Sequence, residues 1–488
     1  MVTPSYEEAA KLTGEYGRIP LSMEIYADME TPVRLLARLA ARGSHCFLLE
    51  SADGGEKWGR YSFLGFDPIL TVTVEKGKTT FVSADGSSET LDGDPYARIR
   101  EKLKPFKAPV LPGLPRFTGG AVGYFAYDMV RYAEDIPDEN PDDARCPDCS
   151  LMVAEKLIAY DNVKQKIILI VNVDTQGDFK ANYEKAAAEI EAIHQRIRTQ
   201  SAPEPSHSRS KPQWESNMTK EEFMEMVEKA KVNIRDGDIF QVVLSQRFSA
   251  KIDGGLFDLY RVLRVSNPSP YLYYLKLGDV EVAGASPETL VRLENGLLET
   301  CPIAGSRPRG KTPEEDAALE KELLADAKEL SEHNMLVDLG RNDIGRVSEF
   351  GTVRVVEHAK VMRYSQIMHI TSLVNGRLRA DLDAFEALRS ILPAGTLSGA
   401  PKVKAMELID QYENRRRGLY GGAVGYVGFD GNMDACIAIR TAIAKGGVAY
   451  VQSGAGIVAD SVPETEYQES LNKAKAVLLA AERAGEIQ

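Results

Sequence analysis

The sequence predicts an α+β fold: two strand-rich units with mostly antiparallel sheets packed together and helices outside. Three observations predict it. Candidate strands cluster instead of alternating with helices, which disfavours a doubly wound parallel sheet. A Ser- and Pro-rich stretch, 199–218 (TQSAPEPSHSRSKPQWESNM), reads as a solvated linker between a unit spanning 1–198 and one spanning 219–488. The hexapeptide GGAVGY occurs at 119–124 and again at 421–426, each time followed by an aromatic residue and Asp (Tyr127-Asp128, Phe429-Asp430). Neither copy has the GxGxxG spacing of a dinucleotide fingerprint, so both read as strands where backbones approach closely.

The elements follow in order. Residues 151–158 and 166–173 read as strands joined by a turn at Asp161-Asn162. Tyr183, Ala186, Ile190, Ile193 and Ile197 recur at helical spacing. The second unit opens on Thr219, an N-cap with Glu222 three residues on, then Phe223, Met226 and Val227. Strands are predicted over 239–248, 271–277 and 281–285, one long helix over 313–338 and another helix over 401–412. Strands recur at 420–429, 434–443 and 447–453, and a last helix spans 463–484.

Over 488 residues, 59 Lys and Arg stand against 72 Asp and Glu, a net charge of −13 that offers nucleic acid no footprint. The most apolar run, Ile167–Val173, is far short of the roughly 20 residues that cross a bilayer, and the N-terminus lacks a signal-peptide core. Five cysteines do not make a disulfide framework, so the expected location is the cytosol. Cys146 and Cys149 form one C-x-x-C without the second pair a zinc site needs, and Cys46, Cys301 and Cys436 read as core.

Two predicted helices carry glutamates three apart, Glu329 with Glu332 and Glu466 with Glu469, so each presents two carboxylates on one face. A divalent cation between the helices would turn that repulsion into attraction. Glu222, Glu225 and Glu228 show the same spacing on a solvated face, and Glu469 lies opposite the apolar stripe of its helix. Glu332 differs, with Leu330, Met335, Leu336, Val337 and Leu339 around it. Spacing alone leaves both readings open. Gly-rich turns at 302–310, 392–402 and 453–458 could expose amides to an anion. Arg440, mid-strand among apolar residues, calls for an anionic partner, and His369 reads as a satisfied core histidine. Together the turns and the arginine suggest a small ligand bearing carboxylates.

Nine runs taken in order resemble the chorismate-utilising enzymes, and among them the large subunits that make anthranilate. They are LLES (48–51), DGDIFQVVLSQRF (236–248), NPSPYLYY (267–274), GASPE (284–288), PIAGSRPRG (302–310), ELSEHNMLVDLGRNDIGR (329–346), LPAGTLSGAPKVKAMELI (392–409), YGGAVGY (420–426) and QSGAGIVADSVPETEYQE (452–469). The resemblance implies that Glu332 and Glu469 hold Mg²⁺, with Glu329 and Glu466 assisting through water. It places Tyr420, Arg440, Gly305, Ser306 and the amides of Gly454, Ala455 and Gly456 around chorismate. Glu288, His369, Gln241 and Thr396 are the implied catalytic residues, with Glu288 as general acid at the C4 hydroxyl and His369 orienting the departing oxygen. Ser306 stands where the family commonly has Thr and keeps the hydroxyl.

Two positions then discriminate within the family. Members that add water at C2 resemble one another in having Lys where this chain has neutral Gln241, and aminodeoxychorismate synthases carry a nucleophilic Lys where it has Ala304. The pair implies amination of chorismate without a covalent adduct, followed by loss of pyruvate to give anthranilate. LLES and NPSPY resemble the family's regulatory tryptophan pocket, with Glu50 and Ser51 at the polar end of L-tryptophan and Pro270, Tyr271 and Leu272 around its ring. No GxCxG elbow of a glutaminase occurs, so a separate glutamine amidotransferase subunit is expected, in a heterotetramer of two of each. The alternatives are an aminodeoxychorismate or 2-amino-2-deoxyisochorismate synthase, and an inactive tryptophan-sensing subunit.

Overall fold

The computed structural model describes residues 2–40, 43–52, 59–201, 210–363 and 367–487. Two sheets of 12 strands each, antiparallel at every named pairing, stack face to face. The interior between them is aromatic and aliphatic, with Phe117 stacked on Tyr426 at 4.2 Å between ring centres. Helices cover the outer faces: Phe179–Thr199, Phe257–Ser266 and Pro463–Arg483 pack on the first sheet, Pro95–Leu103 and Ala384–Ile391 on the second. This is the α+β class the sequence predicts.

Each sheet is built from both parts of the chain. In the first, His45–Glu50 pairs with Tyr271–Leu277, Glu50 opposite Leu272. In the second, the two GGAVGY copies pair with each other, Gly120–Phe125 against Ala423–Gly428 with Gly123 opposite Gly425. Glycine is required there: a Cβ would sit 2.0 Å from the Ser150 carbonyl oxygen at Gly123 and 2.1 Å from that of Asp434 at Gly425. Among the described residues of the linker, Glu215–Ser216 pairs with Gln241–Lys251 and Trp214 packs on the first core, so its second half is ordered. Residues 202–209 lie outside the described residues.

Several strands leave one sheet and enter the other, and these passages hold the site. Val280–Ser286 runs in the first sheet and Thr289–Glu294 in the second, with only Pro287 and Glu288 between. Alongside, Met433–Ile437 runs in the second sheet and Thr441–Lys445 in the first. The single strand predicted over 434–443 is therefore two, and Arg440 lies between them instead of mid-strand. The strand predicted over 151–158 breaks in the same way at Glu155. Both were predicted whole because apolar residues flank each passage closely on both sides, although Glu155, Lys156, Ile439 and Arg440 are themselves only partly buried.

The helix predicted over 313–338 is also two, Pro313–Ala325 and Ala327–Gly345. Asp326 ends the first and caps the second, its carboxylate accepting from the Lys328 and Glu329 amides. The predicted Thr219–Glu222 capping box is present. Among the described residues no helix is long and apolar enough to cross a membrane.

Candidate functional site

The double passage between sheets positions the first two groups. The Ile437 amide donates to the Glu288 carbonyl at 3.0 Å and the Ala285 amide to the Arg440 carbonyl at 3.2 Å, locking the two passages side by side. Arg440 has φ +51, a left-handed conformation that is costly for a residue with a Cβ. Burial pushes the Glu288 carboxyl up to about 7, against the opposing pull of the Thr396 hydroxyl and the charges of Lys473 and Arg440. Burial also lowers Arg440, with Glu288 the charge that favours its cationic form. Its guanidinium makes no hydrogen bond or ion pair among the described residues. A half-buried arginine so placed calls for an anion from outside the chain.

The helices Ala327–Gly345 and Pro463–Arg483 bring their glutamates to the same place. Burial, then Glu329 and Glu469, raise the Glu332 carboxyl above its ordinary value. Glu466 is raised by burial and by Glu469, with Ser461 opposing. Glu469 is half-exposed and pairs with Lys473 at 2.7 Å, while Glu329 lies 3.6 Å from Arg307. Among the described residues no three His, Cys, Asp or Glu side chains cluster tightly enough to hold a metal by themselves. An apposed set of mutually repelling carboxylates nevertheless fits Mg²⁺, which takes one or two carboxylates and completes its shell with water and substrate oxygens.

PIAGS forms the strand Ile303–Pro308 and not the free turn read from sequence, with a register shift that leaves Gly305 as a bulge at φ +65. A Cβ on Gly305 would lie 3.0 Å from Glu329 Oε2. The Gly305 carbonyl meets His369 Nδ1 at 3.0 Å. A carbonyl only accepts, so Nδ1 carries the proton and Nε2 keeps its lone pair in the neutral ring. Burial and Arg440 lower His369 below its ordinary value, and the Gly305 bond opposes them. His369 is thus bonded into the same cluster as Glu329. Ser306, opposite His369 in the register, comes with it.

The predicted SGAGIV turn is also a strand. Gly454, Ala455 and Gly456 lie within Val448–Ile457, opposite Ser245, Leu244 and Val243. The neighbouring Thr441–Lys445 strand pairs only as far as Val451, so among the described residues 452–457 has a strand partner on one edge alone. Alternate amides of that stretch face away from Gln241–Lys251, toward the other edge. Gln241, 4% exposed, reaches this floor: its Nε2 would lie 2.7 Å from a Cβ on Gly456, and among the described residues its Oε1 has no hydrogen-bond partner. Thr396 Oγ1 is likewise buried, with no partner of hydrogen-bond geometry among the described residues. Tyr420 is buried within reach of the Glu469 charge. Gly456→Ala is expected to displace the Gln241 amide and lower kcat/KM by about 10²-fold, the cost of a misplacement near 1 Å. Steady-state kinetics on the folded variant measures it.

A second cavity, of about 260 Å³, lies between the sheets and is lined by Glu50, Ser51, Pro270, Tyr271 and Leu272 among others. The Glu50 carboxylate turns to its own helix partners, accepting from Tyr260 Oη and pairing with Arg264 at 3.0 Å. Further charges on the wall come from residues that the sequence reading did not single out. Arg292 pairs with Asp434 at 3.0 Å, Arg116 lies 3.4 Å from the same carboxylate, and Tyr271 Oη donates to it at 2.9 Å. An arginine amid apolar residues in TLVRLE was the available signal for Arg292.

The profile of a family described as chorismate binding enzyme matches residues 44–479. Anthranilate synthase component 1 of Acetivibrio thermocellus is 54% identical over 494 residues, covering 100% of each chain. The crystal structure of anthranilate synthase component I from Streptococcus pneumoniae superposes with a TM-score of 0.77 at 42% identity, covering 86% of this chain and 92% of that one. The menaquinone-specific isochorismate synthase of Escherichia coli shares the fold, with a TM-score of 0.70 at 19% identity over 98% of each chain.

Proposed function

The chain belongs to the chorismate binding enzymes, and from that premise we propose that it converts chorismate and ammonia to anthranilate and pyruvate, the first committed step toward tryptophan. The observation that carries the choice within the family is Gln241. It is a buried neutral amide with an unpartnered oxygen at the glycine floor, where a base for water would otherwise stand, and Ala304 offers no nucleophile. The relatives named component 1 support the same choice.

Chorismate is a dianion and the protein is acidic, so local cations and amides must bind it. Arg440 pairs with one carboxylate, and the amides along 454–456, Gly305 and Ser306 bind around the ring, with Tyr420 behind it. Mg²⁺, held by Glu332 and Glu469 with Glu329 and Glu466 through water, would supply the positive charge for the ring carboxylate. Glu288, protonated near neutrality, gives its proton to the C4 oxygen as ammonia adds at C2, and Thr396 steadies the carboxylate that forms. His369, fixed by Gly305, orients the departing oxygen. Loss of the C2 proton and cleavage of the C3–O bond then release pyruvate and aromatise the ring.

The 260 Å³ cavity is the place for L-tryptophan as feedback inhibitor, its cationic and anionic wall groups matching an amino acid's charged end. A separate glutamine amidotransferase subunit, two with two of this chain, supplies the ammonia, and the complex works in the cytosol, where the five free thiols persist. The test is chorismate with Mg²⁺ and ammonium, with and without L-tryptophan, followed by anthranilate fluorescence. The chain alone is expected to use ammonium salts and not glutamine. A non-fluorescent amino product, or brisk glutamine use without a partner, overturns the reading.

A further inference from the structure

The cavity and the catalytic groups share a wall of three strands. Pro287 and Thr289 line the cavity and flank Glu288. Ile303 lines it two residues from Gly305, and Thr371 two residues from His369, a separation of about 7 Å along a strand. Ser372 belongs to the same wall, and its Oγ meets His333 Nε2 at 2.6 Å. His333 is fully buried on the helix Ala327–Gly345, directly after Glu332 and one turn from Glu329. Its Nδ1 has no partner, so Ser372 holds its one hydrogen bond among the described residues. The same Oγ accepts from the Ala359 amide at 2.9 Å, and the Ser372 amide donates to the Pro302 carbonyl at 3.1 Å, pinning the serine to strands on both sides. The other buried residues along the middle of that helix, Leu336 and Val337, make contacts without direction.

We propose that His333 and Ser372 are positioning residues: their bond ties the helix bearing Glu329 and Glu332 to the cavity wall, so that a ligand in the cavity moves the carboxylates through it. The proposal rests on the reading of the cavity as a tryptophan site. A ligand that displaces the Ser372 segment draws His333 with it, and a rigid helix carries that shift to Glu332. The apolar contacts of the helix can slide, but a directional bond cannot do so without breaking. By linkage, substrate and metal must then oppose tryptophan to the same degree that tryptophan opposes them.

The test compares full-length wild type with Ser372→Ala and His333→Gln, using calorimetry for L-tryptophan binding and anthranilate formation for inhibition. Both variants are expected to bind tryptophan within about threefold of wild type. At tenfold its Kd, wild type is nearly silent, whereas each folded variant keeps at least half of its own uninhibited rate. Chorismate with Mg²⁺ should weaken tryptophan binding in wild type and leave it unmoved in the variants. Full inhibition of tryptophan-bound variants overturns the proposal. So does loss of tryptophan binding in Ser372→Ala, which would make the serine a ligand contact instead of a link. Ser372→Ala is the milder change and decides the matter if His333→Gln does not fold. Wild type that fails to bind tryptophan at all sinks the reading of the cavity, and the link with it.

Discussion

Glu332→Gln is expected to reduce anthranilate formation by at least about 10²-fold while making the metal-free protein more stable at pH 8. Metal-site partners outside the coordination shell already cost 10- to 100-fold when removed, and a direct ligand should cost no less. The stability gain follows from the sign of the shift. The Glu332 carboxyl is raised in the folded state by burial and by Glu329 and Glu469. Whatever its folded form gains from holding a proton is present below the ordinary carboxylate value and is lost as pH rises through the raised one. At pH 8 the wild-type residue is charged beside like charges, and the amide removes that repulsion. Thermal denaturation with and without Mg²⁺ checks both halves: the ion should raise the melting temperature of wild type and not of the variant. Undiminished turnover, or equal stabilisation of both proteins by Mg²⁺, would remove the glutamate pairs from the reaction.

Glu288→Gln is expected to cost 10²- to about 10⁴-fold in kcat, the usual worth of a general acid, and to remove one limb of the pH profile. With the carboxyl pushed up to about 7 by burial, the acid form predominates below neutrality and is lost above it. At a fixed concentration of neutral ammonia, kcat/KM of wild type should fall as pH rises through about 7. The glutamine variant should be slow and flat over the same range. A variant that keeps the descending limb would assign that titration to another group. His369 does not supply such a limb: burial, and with it Arg440, lowers it below its ordinary value, so its acid form is lost at lower pH.

Local patterns were legible in the sequence where one element obeys one rule. The Thr219–Glu222 capping box, the strand Tyr271–Leu277 and the helix Pro463–Arg483 lie where periodicity and capping chemistry put them. The passages between sheets were not legible, because a strand buried in one sheet and then in the next carries the same apolar run as a single longer strand. That cost the position of Arg440, and it hid the strand Thr289–Glu294 that follows Glu288, so the place where two strands change sheet together was not seen. The Gly-rich segments were misread as turns for a related reason: glycine marks close backbone approach inside a sheet as readily as it marks a turn. Helical spacing gave the two glutamate pairs but could not say that their helices converge, which is a long-range fact. The charged wall of the second cavity had almost no signature, since Arg116, Arg292 and Asp434 are far apart in sequence and meet only through sheet pairing.

The two seams, His45–Glu50 against Tyr271–Leu277 and one GGAVGY copy against the other, also bear on how the chain acquires its shape. Residues joined across them are more than 200 and about 300 positions apart, so the first seam waits until Leu277 has been made and the second until Gly428, near the end of the 488 residues. Until then the nascent first part exposes two unpaired edges, both rich in glycine or hydrophobic side chains and open to wrong partners. High contact order of this kind slows folding, and it makes maturation of this enzyme a problem of delay and of shielding those edges on the ribosome.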